Sequence, residues 1–225
     1  MKPFLALLVK DLRTELRSGA LFLPYLTVTL LLATFLGLGI ATFVSDERLR
    51  HFLFHPIVWS IFLLSGSISL IRVFESDREA GTLRALTLFN LSPTLFYIAK
   101  IVFMVMLLII NHLIAALLVA ALLDVPLLPW MRGFFVLSVA VVFVYAALAA
   151  FIGGFISAHS QRHILFPLVF LPLLFPLFFA VLEVSFSMAA GAGIFGAASW
   201  FALIVGLGTV YLVVGILLFD VAVRD

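Results

Sequence analysis

Long apolar runs broken by short polar clusters set the rhythm of the chain. Residues 21–44 carry no charged side chain, and the polar patch Ser45, Asp46, Glu47, Arg48, Arg50 and His51 ends the run as a short loop. A second run covers residues 57–74, and the longest charged stretch, from Arg72 to Arg84, follows it. Ser92 and Pro93 then suit the N-cap and first position of a third apolar helix, residues 95–123. Pro126, Pro129 and Trp130 mark the next turn, before a run at residues 134–157. A polar turn at 159–163 leads to residues 164–182, and a small-residue segment at 188–198 leads to a last run, 200–219. A helix needs roughly 20 apolar residues to cross a bilayer, so the pattern predicts six membrane-spanning helices joined by short loops. Barrel strands would alternate apolar and polar residues, whereas residues 101–110 are continuously apolar.

The amino terminus has a different period. In residues 4–17 the apolar Phe4, Leu5, Leu8, Leu12 and Leu16 recur at helical steps, and Lys10, Asp11, Arg13, Thr14 and Arg17 fill the other face. The pattern predicts an amphipathic helix over residues 1–18 lying on the membrane surface. Its early charges do not fit a cleavable signal, so it is expected to be retained.

Composition excludes a water-soluble fold. The 225 residues are 65% hydrophobic and 11% charged, with a mean hydropathy of +1.34, against about 25% charged residues in a soluble domain. The length leaves room for one transmembrane domain, residues 1–225, and no soluble one. A net charge of +2 gives no nucleic-acid footprint, and the absence of cysteine closes thiol chemistry. Placing the amino terminus inside puts ten basic residues (Lys2, Lys10, Arg13, Arg17, Arg72, Arg78, Arg84, Lys100, Arg162 and Arg224) on one side and Arg48, Arg50 and Arg132 on the other. Basic excess marks the cytoplasmic face, so both termini are expected there, in an inner or plasma membrane.

One inside segment, residues 75–90, is too long and patterned for a turn. Ser76 and Glu79 are spaced as a capping box, Glu75, Asp77 and Arg78 surround them, and Leu83, Leu86 and Leu88 form an apolar edge, which predicts a cytoplasmic helix. Gly81 costs such a helix about 0.8–1 kcal/mol relative to Ala, a cost explained if another backbone approaches there. The plain alternative is a solvated turn.

Glu79, Gly81, Thr82, Leu83, Leu86 and Pro93 resemble the signature after the second span of ABC-2 type permeases. The stretch from Leu70 to Tyr97-Ile98-Ala99-Lys100, and Leu171-Pro172 through Pro176, resemble more specifically the CcmB family, the permease subunit of cytochrome c maturation systems. The resemblance implies an all-α, non-catalytic permease that couples ATP hydrolysis on a separate subunit to helix movement. It implies Glu75, Asp77, Arg78, Glu79, Gly81, Thr82, Leu83 and Leu86 as the ATPase-coupling residues, with the amino-terminal helix beside them. It further implies a homodimer with a CcmA-like ATPase carrying ATP-Mg, CcmC-like and CcmD-like membrane companions and a CcmE-like haem chaperone, in a bacterial inner membrane. Haem enters only as a substrate of that complex. The chain has no G-x-x-x-x-G-K-[ST] loop, so any ATPase is another polypeptide.

Within the spans, Asn111 and His112 are the polar residues that demand a reason, either lining a pathway, with His112 able to ligate haem iron, or bonding packed helices. With no second intramembrane histidine in view, packing is the favoured reading. Pro167, Pro172 and Pro176 bend or loosen the fifth span, as a hinge or a static kink. His51, His55, His159 and His163 read as loop residues without metal spacing. Trp59, Trp130 and Trp200 read as interface anchors. Gly206 and Gly208 could meet another helix. No catalytic residue or metal site is expected. The competing functions are an ABC-2 exporter of a drug, lipid or polysaccharide, which the co-purifying subunits would reveal, and a membrane scaffold that makes no ATPase contact.

Overall fold

A computed structural model describes residues 2–79, 92–127, 131–156 and 162–224. Its helices are α1 (Lys2–Ser18), α2 (Phe22–Phe43), α3 (Glu47–Glu79), α4 (Pro93–Leu123), α5 (Met131–Ile156), α6 (Arg162–Ala189) and α7 (Ala198–Arg224), with a 3₁₀ turn at Ile194–Ala197. No strand occurs among the described residues. Hydrocarbon offers the backbone no hydrogen-bonding partner, so an apolar chain satisfies its amides internally by coiling. Five stretches are long and apolar enough to cross a membrane: Phe22–Phe43, Pro93–Leu123, Met131–Gly154, Ile164–Ala189 and Ile194–Phe219.

Most helix ends fall close to the sequence expectation, and the departures have physical reasons. The patch expected as a loop shrinks to residues 44–46, because α3 starts at Glu47 and takes Arg48, Arg50 and His51 into its first turns. The Asp46 carboxylate accepts the Arg48 backbone N–H at 2.9 Å and so caps that start. Ser92 is indeed the N-cap of α4 with Pro93 after it, yet its hydroxyl makes no capping bond. Its carbonyl instead accepts Leu95 N–H at 3.1 Å and Phe96 N–H at 3.3 Å. Helix α6 runs past residue 182 to Ala189, carrying Glu183 and Ser185 inside it. It ends where Gly191 (φ 82°) and Gly193 (φ 70°) adopt a backbone conformation that other residues resist.

Helix α5 is the centre of the bundle. From Val141 to Ala150 only Phe143 is not fully buried. Helix α5 packs against α3, α4, α6 and α7, and Ala146, Ala147, Ala149 and Ala150 let those neighbours come close. Of the two glycines expected to meet another helix, Gly208 does, facing Val144 of α5, while Gly206 faces open space. The outer surface is apolar: Phe35 and Phe43 of α2 are 76% and 87% exposed, and Phe175 and Phe179 of α6 also face outward. In water such faces would associate; against lipid they are at rest.

Candidate functional site: the amino-terminal helix and the buried polar core

Helix α1 has three faces rather than two. Its inward stripe is Leu8, Asp11 and Glu15, all buried, with Phe4 and Leu7 partly so. A second stripe, Leu5, Val9 and Leu16, is apolar and exposed, and Arg13, Thr14 and Arg17 form the exposed polar face. The two-sided reading placed Asp11 on the charged face, and the structure corrects it: two carboxylates turn inward because each has a partner there. Lys100 of α4 donates to Asp11 Oδ2 at 2.6 Å, with the two side chains 3% and 7% exposed. Lys10 reaches the other carboxylate oxygen at 3.0 Å. The Lys100 ammonium also lies over the rings of Phe96 and Phe103, 5.4 and 5.6 Å from their centres.

Glu15, one turn further along, caps the next helix. Its Oε1 accepts Phe22 N–H at 2.8 Å and Leu21 N–H at 3.1 Å, groups that have no partner within α2 itself. The joint between α1 and α2 is short because Gly19 (φ 59°) closes α1 with a bond from its N–H to the Glu15 carbonyl, 2.7 Å. Helix α1 is thus tied to α2 and to α4 by buried charge. A groove of about 530 Å³ lies where α1 meets the start of α4, lined by Phe4, Leu5, Ser92, Thr94, Leu95 and Ile98.

The expected coupling segment begins inside α3. Glu75, Ser76, Asp77, Arg78 and Glu79 lie on its last turns, so Ser76 stands within a continuous helix and does not open a new one. Gly81, Thr82, Leu83 and Leu86 lie outside the described residues.

Asn111 and His112 are both buried, and they face different groups. Asn111 Nδ2 donates to Thr29 Oγ1 of α2 at 2.7 Å. Its Oδ1 has no hydrogen-bond partner, and the buried Tyr25 hydroxyl approaches Asn111 and Ser65 without closing a bond to either. The His112 ring packs against Trp59 (4.6 Å between centres) and Phe134 (5.5 Å), which also meet each other at 6.0 Å, with Phe62 edge-on. Ser138 spends its only proton on the Phe134 carbonyl at 2.7 Å. His112 Nε2, 3.1 Å from Ser138 Oγ, must therefore be the donor of that pair, which leaves Nδ1 deprotonated and without a hydrogen-bond partner. The residue is only 1% exposed, enclosed by these aromatic side chains.

Two readings of the first half of α3 are corrected. Trp59 is not an interface anchor: it is fully buried, and its indole N–H donates to Ser185 of α6 at 3.0 Å. His55 is not a loop residue: it is buried within α3 and shares the Phe134 ring with His112, so a second histidine does stand near the first. Among the described residues, no three His, Asp or Glu side chains gather to hold a metal. Trp130 and His159 lie outside the described residues.

Pro167, Pro172 and Pro176 sit inside the unbroken helix α6, with Pro172 and Pro176 on its exposed side. Tyr211 of α7 donates to the Leu173 carbonyl at 2.9 Å, bracing α6 in the middle of this proline run. Two further tyrosines act alike: Tyr97 donates toward the Ala147 and Tyr211 carbonyls, 3.1 Å each, and Tyr145 to Leu63, also at 3.1 Å.

The sequence reading missed Asp11, Glu15 and Lys100 as a group. One signal was present: Lys100 is an ionisable residue inside an apolar helix, where a charge implies a partner or a task. No curated protein sequence matches the chain significantly. The family model for the CcmB protein matches residues 2–225. A bundle of apolar helices matched along almost its whole length in this way belongs to the CcmB family, and is a multi-pass membrane subunit of a haem-export ABC transporter.

Proposed function

We propose that this chain is the permease half of an ABC transporter acting in cytochrome c maturation, and that it converts ATP hydrolysis on a separate CcmA-like subunit into movement of its helices. The family match over residues 2–225 carries this reading. The fold is consistent with it: nearly the whole described chain is helical, with five stretches apolar enough to cross a membrane, and the chain contains no phosphate-binding loop. The output is the ATP-driven release of a haem-loaded, CcmE-like chaperone, with CcmC-like and CcmD-like companions and a second copy of this chain in the complex. Haem is cargo of the assembly and not a resident group of this subunit.

Helix α3 is read as the sixth crossing. Its 33 residues extend about 50 Å, enough to span the hydrocarbon and protrude on the inner side as far as Glu79. On this reading Glu75, Asp77, Arg78 and Glu79 belong to a cytoplasmic extension of a membrane helix that leads into Gly81, Thr82, Leu83 and Leu86. The ATPase grips this region together with α1, in a bacterial inner membrane with both termini inside.

Purification of the tagged protein in detergent should recover an ATP-binding subunit, and Glu75→Lys with Glu79→Lys should abolish cytochrome c assembly. Recovery of no such subunit, with assembly untouched by the double reversal, would overturn the proposal.

A further inference from the structure

Three features fix α1 to the bundle, and they differ in kind. The apolar contacts of Phe4, Leu7 and Leu8 are non-directional and would let the helix slide or roll on its neighbours. The Lys100–Asp11 pair would not: at 2.6 Å and almost fully buried, it holds one turn of α1 opposite one turn of α4, since separating the charges strands both away from water. The Glu15 carboxylate similarly holds the next turn of α1 against the first amides of α2. Asp11 and Glu15 lie on the same stripe of α1, so the two attachments act along one line, and the outward Arg13, Thr14 and Arg17 are left for contacts on the cytoplasmic side.

We propose that Asp11, Lys100 and Glu15 are positioning residues that make α1 a lever, passing movement imposed by the ATP-hydrolysing subunit directly to α2 and α4. This rests on the proposed coupling function. Replacing the pair by Leu and Met of similar bulk is expected to keep the fold, because apolar substitutes for a buried ion pair are commonly tolerated, while losing the directional tie. The absence of cysteine makes a covalent substitute available, since Asp11→Cys with Lys100→Cys can be bridged by a bis-maleimide.

The experiment measures two quantities in the complex of tagged full-length protein: ATP hydrolysis by the co-purified subunit, and cytochrome c accumulated in cells. For D11L/K100M, subunit recovery and ATP hydrolysis are expected to stay within twofold of wild type, while cytochrome c per ATP hydrolysed falls at least tenfold. A purely structural role would lower protein level and ATP hydrolysis together. For D11C/K100C in reconstituted vesicles, chaperone release should be weak before bridging and return towards wild type after it. Unchanged output per ATP in D11L/K100M, or no recovery on bridging D11C/K100C, would overturn the lever. Should D11L/K100M fail to accumulate, the bridged variant decides alone. Failure to recover any ATP-binding subunit with the wild-type chain would instead sink the coupling function itself.

Discussion

At the scale of single residues, close packing rather than polarity decides which substitutions this bundle tolerates. Gly215 of α7 faces the Tyr97 phenol so closely that a Cβ would fall inside it, whereas Gly206, about two and a half turns earlier on the same helix, faces nothing. Gly215→Ala is therefore expected to cost about 1–3 kcal/mol through overpacking, and Gly206→Ala no more than about 0.5 kcal/mol. Thermal unfolding of the two variants in the same detergent checks this, and equal midpoints would contradict the packing. His112 offers a second test. Its Nε2–H to Ser138 is an interhelical bond of a kind that averages about 0.6 kcal/mol inside membranes, and its ring stacks against Trp59 and Phe134. His112→Phe keeps the stack and loses the bond, so cytochrome c assembly should stay near wild type with a small loss of stability. A stable variant that assembles none would make His112 part of a pathway.

At the scale of elements, α6 combines rigidity and weakness. Its three prolines remove the N–H groups that would have bonded the carbonyls of His163, Leu168 and Pro172, yet the helix runs unbroken from Arg162 to Ala189. Tyr211 of α7 braces it at Leu173. A segment with fewer internal bonds and an external brace bends more readily than its neighbours when the bundle is driven. Pro172→Ala with Pro176→Ala returns two intrahelical bonds and stiffens α6. Subunit docking should survive, thermal stability should hold or rise, and cytochrome c assembly should fall about tenfold, the change that about 1.4 kcal/mol of lost coupling produces. Full assembly in this variant would leave the prolines as a static kink. The helices themselves were legible in the sequence because lipid forces every apolar run to satisfy its own backbone, so the limits of α2 and α4 follow from composition. Their faces were less legible. The period of α1 separates apolar from charged positions but cannot distinguish a carboxylate facing water from one facing a lysine 89 residues away.

At the scale of the molecule, the contacts that define the buried core join positions far apart in the chain, such as Trp59 to Ser185 across 126 residues and Asn111 to Thr29 across 82. Local pattern carries no record of which helices become neighbours, which is why Trp59 and His55 read as peripheral and are central. What local pattern does carry is sidedness, since basic residues resist transfer across the membrane and their distribution orients every span. Five crossings by α2, α4, α5, α6 and α7 would put the two ends of the chain on opposite faces, and counting α3 puts them on the same one. The lack of cysteine lets each side be probed singly. Asp46→Cys and Asp124→Cys, both at exposed turns, are expected to react in intact spheroplasts with a maleimide that cannot cross the bilayer. Arg17→Cys, on the polar face of α1, and Gly81→Cys should react only after the membrane is opened. The informative pair is Asp46 and Gly81, because they flank α3: opposite labelling makes α3 a full crossing, while labelling of both from outside would remove the ATPase-facing role of residues 75–86. Arg17 and Asp46 flank α2 in the same way, so their opposite labelling fixes α1 on the inner face, where Asp11 and Glu15 connect it to the helices it is proposed to move.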